Sequence, residues 1–234
     1  MKQIYFVTEG VTDQIVLEEI VARFLGGVDF ESYPIQPPSS AYAVDLDCRL
    51  SEGWRGVFSW CQASDPNVAA SRARVLNSAD LVVIHLDADV GLDAQCPSGR
   101  FGGLLPPARE LCDHVRAAIV GSFGGGLPPN VVICVPSIDL ESWVLCCMFP
   151  VLADQIQVDI AMPFECYLHS ARELSLQSPQ FTRRSAGRIR KVTSTYRSEA
   201  ESIAAGWMNC GRPSMRCEEA VKFEDEVAAI FPVR

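Results

Sequence analysis

The chain has 234 residues, with 20 basic against 29 acidic side chains, a formal net charge of -9 and 48% hydrophobic residues. That length suits one large domain or a domain with a small appendage, and so apolar a composition excludes a disordered chain. No apolar run approaches the ~18–20 residues of a membrane span, and Met1-Lys2 leads straight into a strand-like segment, so a soluble, unprocessed cytoplasmic protein is expected.

Gln3 to Thr8 is a short β-branched and aromatic run that breaks at Glu9-Gly10. Ile15, Val16, Ile20, Val21 and Leu25 then recur at helical spacing, with Thr12 as the expected N-cap and Gly26-Gly27 as the stop. A weaker strand is expected over 42–46, followed by an irregular aromatic stretch holding Trp54, Phe58 and Trp60 and a helix over 67–78. Those aromatics suit a core under a loop; base stacking is the alternative. Asp80 to Leu86 is a continuous apolar run ending in Asp87-Ala-Asp89, the pattern of a strand buried on both faces.

From Val90 to Pro107 the chain is rich in Gly and Pro and long for a connector, which points to a functional loop or lid. A helix over 108–120 leads through Gly124-Gly-Gly126 to a second buried-type strand, Val131 to Val135, and Asp139 opens a further helix. Helices are expected near 163–174, 188–206 and 216–230. Strands alternating with helices predict an α/β fold: a compact Rossmann-like parallel sheet flanked by helices over 1–150, with a helical C-terminal extension over 151–234 packed on it.

The ten cysteines are scattered, with no CxxC motif. In so long a chain, reduced thiols are expected rather than a disulfide scaffold. Cys146-Cys147 sits in an apolar helix as small hydrophobes, and Cys210 with Cys217 lacks the matching His ligands of a zinc site.

Acids fall at the carboxyl ends of three expected strands: Glu9 with Asp13, Asp87 with Asp89, and Asp139 with Glu141. Ligands of open α/β sheets bind at those ends, so sequence-distant acids can converge there. Carboxylates gathered without Lys or Arg repel one another until a cation offsets them, and oxygen-only ligation suits Mg²⁺ or Mn²⁺. Each acid also has an ordinary role to weigh. Asp13 fits a first-turn acid stabilised by the helix dipole, and DxD pairs also occur in glycosyltransferases and phosphohydrolases. His85 shares a strand face with Asp87, as a buried histidine or a neighbour in catalysis.

Thr8-Glu-Gly-Val-Thr-Asp13 followed by Val83-Ile-His-Leu-Asp-Ala-Asp89 resembles the Toprim domain of topoisomerases, bacterial primases and OLD-family nucleases. Pro136-Ser-Ile-Asp-Leu-Glu-Ser-Trp-Val-Leu145 is similar to a helix of small stand-alone Toprim-like proteins from prokaryotic defence neighbourhoods, and Lys191, Tyr196 and Pro213-Ser214 resemble their C-terminal region. The resemblance implies a Toprim fold of about four parallel strands binding one or two Mg²⁺ or Mn²⁺ ions. By motif, Glu9 corresponds to the acid/base or metal-binding glutamate and Asp87 and Asp89 to the metal-binding pair. Asp13, Asp139 and Glu141 correspond to the further acids of nuclease-type sites. Glu9, Asp87, Asp89 and Glu141 are the expected catalytic set. Gly91 stands where a third evenly spaced Asp would extend the DxD motif.

Five of the 20 basic residues, Arg183, Arg184, Arg188, Arg190 and Lys191, fall within nine positions that hold no acid. On a helix, Arg spaced three or four apart would line one face and bind phosphates; pairing with surface acids or with a partner protein is the alternative. No GxxxxGK[ST] loop and no GxSxG elbow occur, so ATP hydrolysis is not expected. The leading expectation is a metal-dependent endonuclease acting on DNA or RNA in anti-phage defence, alone, as a homo-oligomer or switched on by a separate ATPase or sensor protein. A small-substrate phosphohydrolase and a non-catalytic scaffold are the alternatives.

Overall fold

The computed structural model describes residues 1–37, 50, 52–93, 95, 108–124, 126–160, 164–185, 188–211 and 217–232. The expected strand over 42–46, most of the loop from 90 to 107 and Pro213-Ser214 lie outside them.

Four parallel strands form the main sheet: β1 (Lys2–Val7), β2 (Phe30–Gln36), β3 (Leu81–His85) and β4 (Val131–Cys134), in the order β2-β1-β3-β4. Every residue of β3 and β4 is buried, as a parallel sheet covered on both faces requires. Side chains alternate along the pleat: Ile4 and Phe6 of β1 enter one core, Tyr5 and Val7 the other. Strand β2 was not expected from its sequence, because Glu31, Ser32 and Pro34 interrupt its apolar residues. It lies at the sheet edge, where a missing N–H is tolerated.

One face is covered by α2 (Trp54–Gln62), α3 (Pro66–Ser78) and α4 (Ala108–Ser122). The aromatic stretch expected to be irregular is thus helical: Gly53, at φ 63°, turns the chain into α2, whose Val57, Phe58, Trp60 and Cys61 are buried. Asp65 caps α3 by accepting the N–H of Asn67 at 2.7 Å.

The other face carries α1 (Val11–Phe24), α5 (Leu140–Met148), α8 (Thr193–Ala205) and α9 (Glu218–Ile230), with α6 (Pro150–Ile160) and α7 (Ser170–Gln177) beside them. Helices beyond residue 150 share one core with β1, β3 and β4, in which Trp143 meets Trp207 edge-on at 5.4 Å and stacks with Phe223 at 6.4 Å. Arg116 of α4 ties α9 to the sheet, donating to Glu219 at 2.9 Å, Glu226 at 3.2 Å and the Ile133 carbonyl at 2.7 Å. Residues 151–234 thus complete one wall of the sheet's own core.

The helix expected over 188–206 is corrected at its start. Thr182–Ser185 (β5) and Arg188–Lys191 (β6) form an antiparallel hairpin, and the helix begins only at Thr193. Thr182 to Ser185 and Arg188 to Lys191 satisfy each other's backbone groups across the turn, so period-2 geometry replaces the helical face expected for the arginines. Around 163–174 the chain makes a 3₁₀ turn, Phe164–Cys166, before α7. Among the described residues no helix is long and apolar enough to cross a membrane.

Candidate active site

The chain leaves β1 to cross to β2 on one side and returns to β3 on the other, so β1 and β3 flank the point where strand order reverses. Ligands of open α/β sheets bind outside the carboxyl ends at such a point. Glu9 follows β1, Asp87 and Asp89 follow β3, and Asp139 and Glu141 follow β4.

Thr8 sets the direction of Glu9: its N–H donates to the Gln36 carbonyl at 2.7 Å, and its hydroxyl reaches the Gly10 and Gln36 carbonyls at 3.0 and 3.1 Å. A Cβ at Gly10 would stand 2.8 Å from Asp13 Oδ2, so any larger residue there would push the Asp13 carboxyl aside. The helix accordingly starts at Val11 with Gly10 at the cap position, and Thr12 turns its hydroxyl toward Asp13 at 3.4 Å instead of capping. Glu9 Oε2 is buried with no hydrogen-bond partner. Burial, then the Asp87 and Asp13 charges, push the Glu9 carboxyl up to about 8.

Asp87 Oδ1 accepts the Leu140 N–H at 3.0 Å and lies 3.3 Å from His85 Nε2, an ionic contact outside hydrogen-bond alignment. His85 is fully buried; burial works against its charged form, but Asp87, Asp13 and Glu9 outweigh it and raise its pKa. Asp89 stands exposed at the rim, where crowding by the surrounding protein and then Asp87 raise its pKa against the pull of Lys191.

On the opposite side the acids hold a cation of the protein's own. Lys191 Nζ lies 2.8 Å from Asp13 Oδ1 and 2.8 Å from Glu141 Oε1, and the Tyr196 hydroxyl donates to the same Glu141 oxygen at 2.8 Å. Burial opposes the charged forms of Asp13 and Lys191, yet their pairing keeps Asp13 below and Lys191 well above their ordinary values. Burial raises the Glu141 pKa against Lys191. The expectation of carboxylates free of any lysine is therefore corrected.

Among the expected phosphate contacts, Lys191 is the one directed at the acids. It pairs with Thr182 across the hairpin, whereas the preceding Arg190 pairs with Arg183, and both of those arginines are exposed. Alternation along β6 sends Lys191 inward and Arg190 outward. Arg184 and Arg188 lie on the same two strands, with side chains outside the described set. Asp139 serves as the N-cap of α5, its Oδ1 accepting the Ser142 N–H at 3.1 Å and the Ser170 hydroxyl. That oxygen is committed to the helix rather than to an ion.

The donor set suits a hard divalent cation in part. Glu9, Asp87 and Asp89 are oxygen donors without an ion pair to the ammonium among the described residues, and Glu9 has an unpartnered buried oxygen. Asp13 and Glu141 could ligate only by releasing Lys191. The acids stand apart as well: among the described residues no three carboxylates bring oxygens within 4.8 Å of one another. Closure on an ion requires the side chains to draw inward.

The geometry adds three residues to the site. Tyr196 and Lys191 carried a signal in the motif resemblance, and His85 in its two-residue spacing from Asp87. Comparison with known protein families, with curated proteins and with solved structures gives no match to this chain.

Proposed function

We propose that this chain is a Mg²⁺- or Mn²⁺-dependent phosphodiesterase of Toprim type that cleaves DNA or RNA, acting as an effector of prokaryotic anti-phage defence. The observation that carries the chemistry is the gathering of acids at the β1/β3 switch point, where Glu9, with a buried unpartnered oxygen and a carboxyl pushed up to about 8, feels burial and the charges of Asp87, Asp13 and Asp89. The defence role follows from the motif resemblance, as does a separate ATPase or sensor partner.

A bound divalent ion supplies Lewis-acid polarisation of the phosphate and a lowered pKa for an attacking water. Asp87 and Asp89 would hold such an ion, with Asp87 placed by the Leu140 N–H and by His85. Glu9, whose carboxyl is pushed up by burial and by Asp87 and Asp13 in the metal-free chain, is placed to exchange a proton with the water or the leaving oxygen. Lys191 and Tyr196 orient Glu141, and Lys191 holds Asp13. Arg183 and Arg190, side by side on the hairpin that delivers Lys191, take the polynucleotide backbone. Like charges directly opposite on two strands are unfavourable unless an anion lies between them.

Charge reversal tests the polynucleotide reading. The double variant Arg183→Glu, Arg190→Glu is expected to slow plasmid or RNA cleavage about tenfold more at low salt than it slows hydrolysis of bis(4-nitrophenyl) phosphate. Equal slowing of the two substrates would leave a small-substrate phosphohydrolase as the better reading. Binding of a protein partner unaffected by Asp87→Ala, with no hydrolysis by wild type, would favour the scaffold.

A further inference from the structure

Four of the ten cysteines converge from three separate parts of the chain. Cys146 and Cys147 lie at the end of α5, Cys210 follows the 3₁₀ turn Trp207–Asn209, and Cys217 is the N-cap of α9. The Sγ atoms of Cys146, Cys210 and Cys217 all lie within 4.8 Å of one another, and Cys147 Sγ is 3.7 Å from Cys210 Sγ. Cys210 is thus the hub, its thiol within reach of the other three. Cys146, Cys210 and Cys217 are fully buried and Cys147 is 5% exposed.

We infer that these cysteines form a structural zinc site, with Cys146, Cys210 and Cys217 as ligands and Cys147 as the fourth donor. Tetrahedral Zn²⁺ with Zn–S near 2.3 Å places its sulfurs ~3.8 Å apart. The Cys147 to Cys210 separation already matches that spacing, and the three pairs among Cys146, Cys210 and Cys217 need draw in by no more than about 1 Å. Cys147 stands outside that group of three, so its side chain would have to turn toward Cys146 and Cys217 to complete the tetrahedron.

The backbone is built for the approach. A Cβ on Gly206 would stand 2.3 Å from the Cys147 carbonyl oxygen, so only glycine lets the chain pass there. Asn209 Nδ2 then donates to that same oxygen at 3.1 Å, and the Cys217 N–H donates to the Cys210 carbonyl at 3.0 Å, closing the loop between two ligands. Cys217 sits at the N-terminus of α9, whose Glu218 and Glu219 N–H groups donate to Glu165 at 2.9 and 3.3 Å. Each ligating thiol gives its proton to solvent as the metal enters. Soft thiolate ligands select zinc over Mg²⁺, so this centre and the acidic site would hold different ions. Cys61, Cys112 and Cys134 are equally buried, and Cys112 meets Ser137 rather than a cluster of thiols, so burial alone does not gather cysteines.

The site would clamp α5, whose first turn carries Glu141, to the start of α9. Its test is independent of nuclease activity. The chain purified under reducing conditions without chelator is expected to carry about one Zn²⁺ by elemental analysis, retained in Cys112→Ser and lost in Cys210→Ser and Cys217→Ser. Because the latter variants can unfold, wild type reconstituted with Co²⁺ is the second measurement: thiolate-to-cobalt charge-transfer bands and intense tetrahedral d–d bands are expected. A folded, metal-free wild type whose thiols are all reduced and which gives no such cobalt bands would overturn the assignment. So would a disulfide among the four cysteines in the chain as isolated from the cell.

Discussion

Lys191→Met is expected to destabilise the protein by about 3 kcal/mol in the absence of divalent cations, and Mg²⁺ is expected to restore part of that loss. The lysine is one-third exposed, but its two partners are not: the Asp13 and Glu141 side chains are 4% and 3% exposed. Removing the ammonium leaves two buried carboxylates facing each other, with only Tyr196 and Thr12 to solvate them. A divalent ion can then enter the position from which Lys191 excludes it. Urea unfolding at pH 8 with and without Mg²⁺ measures both effects. A variant as stable as wild type in chelator, or one that gains nothing more from Mg²⁺ than wild type does, contradicts the arrangement.

Glu9→Gln is expected to stabilise the metal-free protein at pH 8 while abolishing cleavage. The folded carboxyl titrates near 8, above its ordinary 4.5, so the folded state keeps a proton that the unfolded chain releases between those values. The associated stability is fully present below pH 4.5 and is lost as pH rises through 8. The size is about 3 kcal/mol once the partial exposure of Glu9 is allowed for. In chelator, wild type should weaken from pH 5 to pH 8, and Glu9→Gln should weaken much less. Mg²⁺ should flatten the wild-type curve from the alkaline side, since it binds the ionised form. Parallel curves for the two proteins would show that Glu9 is not strained. A functional group that costs stability is common at active sites.

Most of what positions the acids was legible in the sequence for a simple physical reason. Segments such as Leu81–His85 and Val131–Cys134 are apolar throughout because both their faces are covered, and a turn must follow them. The acids at those turns, Glu9, Asp87 and Asp139, stand out against that background. Strand β2 was hidden because an edge strand admits Glu31 and Pro34, and α2 because its helix begins from a glycine at positive φ rather than from a recognisable cap. The 182–191 hairpin misled for a different reason. Its strands hold four residues each and are rich in arginine, so no apolar alternation marks them and the pairing partner decides the conformation. With the period wrong, the inward direction of Lys191 and its pairing with Asp13 and Glu141 could not be read. Convergence of four cysteines is likewise a property of tertiary packing: Cys146, Cys210 and Cys217 share no motif spacing.

The most direct test of the proposed function is calorimetric titration of Mg²⁺ and Mn²⁺ into wild type and Asp87→Ala, with plasmid and RNA cleavage followed on the same samples. Wild type is expected to bind the ion and cut nucleic acid, and Asp87→Ala to do neither while keeping its fold. Absence of divalent binding by wild type, with nucleic acid present, would contradict the proposal and leave Glu9, Asp87 and Asp89 as structural acids.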